Sequence, residues 1–301
     1  MGTPEFAVES LDILLKNHYE VCAVITAPDK PAGRGQKIKM SAVKEYALEH
    51  QLKILQPDKL KDPGFIEELK SLQANLFVVV AFRMLPEIIW SMPKNGTFNL
   101  HASLLPQYRG AAPINWAIIN GDTVTGVTTF FLQQQIDTGD LLFQKSIEIL
   151  PEDNAESLHD KLMHLGANLT LQTVEAIAAD KITPTPQPHN TTLKPAPKIF
   201  KEDCLLDFSQ DVIQIHNKVR GLSPFPTAYT FLDGKILKIY ATQPEKSPSN
   251  QKIGSIESDG KTFLKIRCAD GWINLLEIQL EGKKRMTVAD FLKGYHFKLA
   301  E

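Results

Sequence analysis

The chain has 301 residues, 43% hydrophobic and 23% charged, with 33 Lys and Arg against 35 Asp and Glu. That composition is ordinary for a soluble globular protein; the near-zero charge excludes a generally basic nucleic-acid coat but leaves room for a local basic patch, and the length favours two domains over one core. The longest apolar runs, such as Leu76 to Phe82, are far short of a membrane span. Met1 to Glu5 is neither basic nor apolar, so no secretory signal is expected. Cys22, Cys204 and Cys268 lie far apart without a C-x-x-C. That spacing argues against a disulfide framework or a metal site and fits a reducing cytoplasm.

Thr3-Pro4-Glu5 reads as an N-cap, a first-turn proline and an acid at the positive end of a helix. Phe6, Leu11, Leu14 and Leu15 supply its apolar face. Glu20 to Thr26 reads as a buried strand, and Ser41 to His50 and Phe65 to Leu72 as helices. Leu76 to Phe82 is a near-continuous apolar strand of the kind covered on both faces of a parallel sheet. Thr97 to Leu100 and Thr125 to Leu132 are further strands, and Asn154 to Ala179 is a long helix. This alternation predicts an α/β fold: an open, Rossmann-like, mostly parallel sheet over residues 1–180. Residues 181–199 hold five prolines and read as a semi-rigid linker. From residue 200 a helix (Val212 to Arg220) is followed by five short strands: Ala228 to Phe231, Lys235 to Tyr240, Gly254 to Ile256, Phe263 to Arg267 and Trp272 to Ile278. They predict a small OB-like β-barrel over 200–301.

Dinucleotide-fold, P-loop and G-x-S-x-G fingerprints are absent from the sequence, which lowers hydride transfer, nucleotide hydrolysis and serine-hydrolase chemistry. The densest polar stretch runs from Asn99 to Asp140. Asn99 and His101, two apart at the carboxyl end of a strand, share one face. Ligands of open α/β sheets bind outside the carboxyl ends of strands. Asp137 follows the next long strand and can reach the same rim. An amide for an oxyanion, an imidazole for a proton and a carboxylate to orient it suit acyl transfer without a covalent intermediate. By spacing alone, a turn amide, an interior histidine and a solvated loop acid fit equally well.

Longer motifs separate these readings. Gly2 to Ala7, Pro28 to Gly35 (PDKPAGRG), Asn99-Leu100-His101, Ser103 to Pro106, Tyr108 to Pro113 and Asp137 to Asp140 together resemble the N10-formyltetrahydrofolate-dependent formyltransferase family. The resemblance continues through Leu222-Ser223-Pro224 and Glu281 to Met286, so it covers nearly the whole chain. The PAGRG loop and the second domain narrow it to the branch that formylates initiator methionyl-tRNA. The resemblance implies that Asn99, His101 and Asp137 are catalytic, with Asn99 and His101 holding the formyl oxygen and Asp137 orienting His101 and managing the proton of the attacking amine. It implies a folate pocket formed by Phe82, Arg83, Met84, Leu85, Ser103, Leu104, Leu105, Pro106 and Asp140, with no metal. Lys30, Arg34, Lys37 and Lys39 would meet the tRNA acceptor end, and Lys283, Lys284 and Arg285 its phosphates. Taken singly, these cations fit solvated loops as well.

In the family a strand leads into Gly2-Thr3-Pro4, and this sequence has none there, so an open position in the sheet and reduced stability are expected. A cytoplasmic monomer is the default expectation. An amino-sugar-nucleotide formyltransferase and a catalytically silent RNA-binding protein are the competing functions.

Overall fold

The computed structural model describes residues 1–32, 37–188 and 192–295. They form two compact units: residues 1–110, 125–147 and 159–195, and residues 111–124, 148–158 and 196–301.

The chain begins with helix α1 (Phe6–Lys16), strand β1 (Val24–Ile25) and a hairpin of β2 (Lys30–Ala32) and β3 (Lys37–Lys39). Helix α2 (Ala42–Glu49) is capped by Ser41, whose side chain accepts from the Lys44 amide. After β4 (Ile54–Leu55), helix α3 (Pro63–Ser71) is capped by Asp62, with proline in its first turn. Then come β5 (Phe77–Val80), α4 (Glu87–Trp90), β6 (Thr97–His101), α5 (Pro113–Ile119), β7 (Val124–Phe131), β8 (Leu141–Glu148) and α6 (Ala155–Ala178). The main sheet runs β5-β6-β7-β8 and is mixed: β5 and β6 are parallel, β6 and β7 antiparallel. Strand β8 escapes a sequence reading because Gln144-Lys145-Ser146 breaks any apolar pattern. Phe98, Leu14, Leu142 and Val174 pack together in one cluster of the core, and Val79, Leu69 and Ile89 in another.

Two expectations need correction near the amino end. Helix α1 starts at Phe6 with no side-chain cap, so Thr3 is not its N-cap. Met1 and Gly2 are drawn into the sheet, and residues 3–5 bend the chain from strand direction into the helix. The strand expected over 20–26 is regular only at Val24–Ile25, where β1 pairs in parallel with β4. On its other side the Gly2 amide donates to the Ile25 carbonyl at 3.0 Å. The Val80 amide donates to the Met1 carbonyl at 2.9 Å, and the Met1 amine to the Val78 carbonyl at 2.7 Å. Two residues therefore bridge β1 to β5. Gly2 is needed there, because a Cβ would stand 2.9 Å from the Val80 carbonyl oxygen and 2.5 Å from Ala7 Cβ. Beside them opens a cavity of about 450 Å³, lined by Leu11, Leu14, Val21, Leu76, Val78 and Val174 among others. Burial pushes the Met1 amine down to about 5.

The second unit adds helix α7 (Val212–Leu222), with a capping box between Asp211 and Gln214. Strands β9 (Ala228–Leu232), β10 (Lys235–Lys246), β11 (Ile256–Ser258), β12 (Leu264–Arg267), β13 (Gly271–Leu280) and β14 (Met286–Thr287) follow, then α8 (Val288–Leu292). The sheet is antiparallel, in the order β11-β12-β13-β10-β9, with β14 on β13. Among the described residues no pairing closes it into a barrel. Ile215, Val219, Leu237, Ile239, Ile273 and Ile278 form its core.

Candidate active site

Strand β6 sets the site's frame. Its register with β5 pairs Asn99 with Val79, and its register with β7 pairs His101 with Thr128. Period two places Asn99 and His101 on one face, with His101 at the strand's last position. His101 is 6% exposed; Asn99 is half-buried, and its carboxamide makes no hydrogen bond to the described residues.

The turn after β6 folds back onto His101. Its Nε2 lies 2.8 Å from the Tyr108 carbonyl oxygen. A carbonyl only accepts, so Nε2 carries the hydrogen, and in the neutral ring Nδ1 is bare. Nδ1 faces Asp137 Oδ2 at 3.9 Å. Two acceptors cannot bond, so this contact becomes an ion pair only when Nδ1 gains a proton. Asp137 Oδ2 also accepts from the Gly110 amide at 2.9 Å. The expected trio is thus brought together: Asp137 beside His101, and Asn99 on the same strand face.

Two loops hold this arrangement. Tyr108 and Asp137 each have φ near +60° (60° and 54°), a region that non-glycine residues rarely occupy. Gly139 packs so tightly that a Cβ would fall 1.6 Å from the Phe131 carbonyl oxygen. Gln187, 3% exposed, donates to the Asp137 and Gly139 carbonyls and accepts from the Arg109 guanidinium. Sequence reasoning missed Gln187, which sits in the proline-rich stretch. That stretch lies against the rim: Thr185 pairs with Leu141, and the Tyr108 amide donates to the Lys194 carbonyl at 2.7 Å.

The residues expected around folate divide into two kinds. Ala81, with φ 47°, turns the chain at the end of β5. Beyond it Phe82 is half-buried and Met84 is 67% exposed, leaving apolar surface at the strand end. Leu85 is in the core, and Arg83 donates to the Asp58 and Pro57 carbonyls. Ser103, Leu105 and Pro106 are buried, with Leu104 half-buried. The Ser103 hydroxyl donates to the Gln107 carbonyl, and the Leu105 amide to the Thr128 hydroxyl. This turn shapes the rim through its backbone. The half-buried Asp140 joins the edge of the sheet, its carbonyl accepting from the Phe131 amide. Among the described residues no three His, Cys, Asp or Glu side chains converge as a metal site.

Among the expected tRNA contacts, Arg34 lies outside the described residues. Lys30 and Lys39 are exposed and directly paired across the β2–β3 hairpin, while of Lys37 only its place at the start of β3 is described. Lys283 and Lys284 are exposed at the turn after Gly282. Arg285 is engaged within the protein: it pairs with Glu277 at 2.6 Å and stacks over Tyr240, 4.2 Å from the ring centre.

The chain is similar to known proteins along nearly its whole length. The family model described as "Formyl transferase" matches residues 1–174, and "Formyl transferase, C-terminal domain" matches 198–296. A protein of Phocaeicola vulgatus named methionyl-tRNA formyltransferase is 58% identical over 98% of this chain and 94% of its own length. One of the same name from Bacteroides fragilis is 54% identical over the same shares. Among solved structures, the N-formyltransferase of Helicobacter canadensis, in complex with folinic acid and dTDP-3-aminofucose, superposes with a TM-score of 0.67. It is 21% identical and covers 92% of this chain and 97% of its own, so it supports the fold alone.

Proposed function

The chain belongs to the formyl transferase family, and from that premise we propose that it transfers a formyl group from N10-formyltetrahydrofolate to the methionine amine of initiator methionyl-tRNA. The observation that carries the reading is that relatives named for this activity are more than half identical along nearly the whole chain, both domains included. The convergence of Asn99, His101 and Asp137 supplies the chemistry.

The amine of a charged methionine has a pKa near ~8, so it is partly neutral at physiological pH. Its nitrogen attacks the formyl carbon, and the carbonyl electron pair moves onto oxygen. The unengaged Asn99 amide donates to that oxyanion. The attacking nitrogen's proton passes to His101 Nδ1, the only ring nitrogen not committed to Tyr108. Asp137 stabilises the resulting imidazolium across the 3.9 Å gap. Protonated, Nδ1 donates in turn, to the oxyanion or to the departing nitrogen of tetrahydrofolate as the carbon–nitrogen bond breaks. This divides the roles differently from a simple shared grip on the formyl oxygen: Asn99 holds charge and His101 moves the proton.

Phe82 and Met84 offer the pterin an apolar wall, and the Ser103 to Pro106 turn and Asp140 frame it. Lys30, Arg34, Lys37 and Lys39 meet the acceptor end of the tRNA. The C-terminal sheet acts as an OB-like tRNA platform, with Lys283 and Lys284 meeting phosphate while Arg285 braces the strand beneath. The enzyme works as a cytoplasmic monomer, consistent with its three unpaired thiols and its substrate.

The test is formyl transfer from N10-formyltetrahydrofolate to charged initiator tRNA, with uncharged tRNA and an amino sugar nucleotide as controls. Transfer to charged tRNA alone is expected. Transfer to the sugar alone would keep the catalytic trio and replace the substrate.

A further inference from the structure

We propose that Gln187 is a positioning residue for formyl transfer, setting the Asp137 loop against His101; this rests on the catalytic trio proposed above. Gln187 Nε2 donates to the Asp137 carbonyl at 2.9 Å and to the Gly139 carbonyl at 2.8 Å. Its Oε1 accepts from Arg109 Nη2 at 2.6 Å and Nε at 3.2 Å. Both amide hydrogens and both carbonyl lone pairs are used, which fixes the orientation of the amide.

The two ends of this side chain hold two different parts of the site. Arg109 stands between Tyr108, whose carbonyl fixes the His101 tautomer, and Gly110, whose amide holds the Asp137 carboxylate. On the other side is the loop that carries Asp137 itself. Gln187 thus ties the histidine's turn to the aspartate's loop, both of which hold a residue at unfavourable φ. Its own backbone is anchored, because Thr185 exchanges two hydrogen bonds with Leu141, at 2.8 and 2.9 Å. Pro186 and Pro188 restrict φ on either side of it.

No other side chain of this length reproduces the pattern. Glutamate keeps an acceptor for Arg109 but turns the two donors into an oxygen facing two carbonyls. Lysine or methionine leaves the guanidinium unmatched. Loss of the donors frees the Asp137 loop, and a displacement of about 1 Å at a reacting group costs roughly 10²-fold in rate.

The experiment compares the wild-type chain with Gln187→Glu, Gln187→Ala and Arg109→Lys. It measures kcat, KM for the formyl donor, and hydrogen exchange of the Gly110 amide, which reports the bond to Asp137. We expect kcat to fall roughly 10²-fold in both Gln187 variants, with KM within about threefold, the signature of an interaction needed at the transition state. Gly110 exchange should quicken at least about tenfold while α6 amides stay protected. Arg109→Lys leaves the Gln187 donors in place and should lose less. Wild-type kcat in Gln187→Glu would overturn the inference, as would unchanged Gly110 exchange or a fall in kcat that only tracks the folded fraction. If the wild-type chain transfers no formyl group, the proposed function fails, and Gly110 exchange still decides whether Gln187 sets the loop.

Discussion

The two edges of β5 differ in how completely they are paired. Toward β6 the ladder is continuous from Phe77 to Val80, and it leads to a rim where His101, Asp137 and their loops are joined by named hydrogen bonds. Toward β1, among the described residues only Met1 and Gly2 bridge the gap, and a cavity of about 450 Å³ lies beside them. Hydrogen bonds are concentrated at the rim, where His101 and Asp137 face one another at 3.9 Å. On the other edge apolar side chains face a cavity and lose packing contacts that would stabilise the fold. Changes at the rim should therefore act on rate, and changes at the gap on stability.

The largest expected effect is at the rim. Asp137→Asn removes the charge opposite Nδ1 while keeping shape, and should lower kcat by on the order of 10²–10⁴ with little change in melting temperature. A variant that loses stability in proportion to activity would break the contrast between the two edges. Gly139→Ala comes next: its methyl collides with the Phe131 carbonyl, so the loop must shift, and kcat should fall roughly 10²-fold. Wild-type kinetics would show that the loop tolerates displacement.

At the gap, Gly2→Ala should lower the melting temperature and leave kcat nearly unchanged, because its methyl would stand 2.9 Å from the Val80 carbonyl oxygen and 2.5 Å from the Ala7 Cβ. A fall in kcat with an unchanged melting temperature would reverse the contrast.

Much of the candidate site was legible in the sequence because it depends on local spacing. Asn99 and His101 share a strand face by period two, and Asp137 follows a strand long enough to be read. Gln187 was not legible, since a glutamine among prolines carries no periodic signal and its partners lie about 50 and 78 residues away. Arg285 shows the reverse: a basic cluster draws attention in sequence, yet its guanidinium is engaged by Glu277 and Tyr240.

The sequence by itself determined the family, the alternation of strands and helices in the first half, the β-rich second half and the residue types of the proposed catalytic trio. These follow from short-range periodicity and from motifs whose residues are neighbours. Only the tertiary structure decided which nitrogen of His101 is free, because the Tyr108 carbonyl claims the other. It also decided that the second sheet stays open among the described residues, and that Gln187, from the proline-rich stretch, donates to the Asp137 carbonyl. Hydrogen-bond partners distant in sequence are chosen by where the backbone folds, and no local pattern encodes that choice.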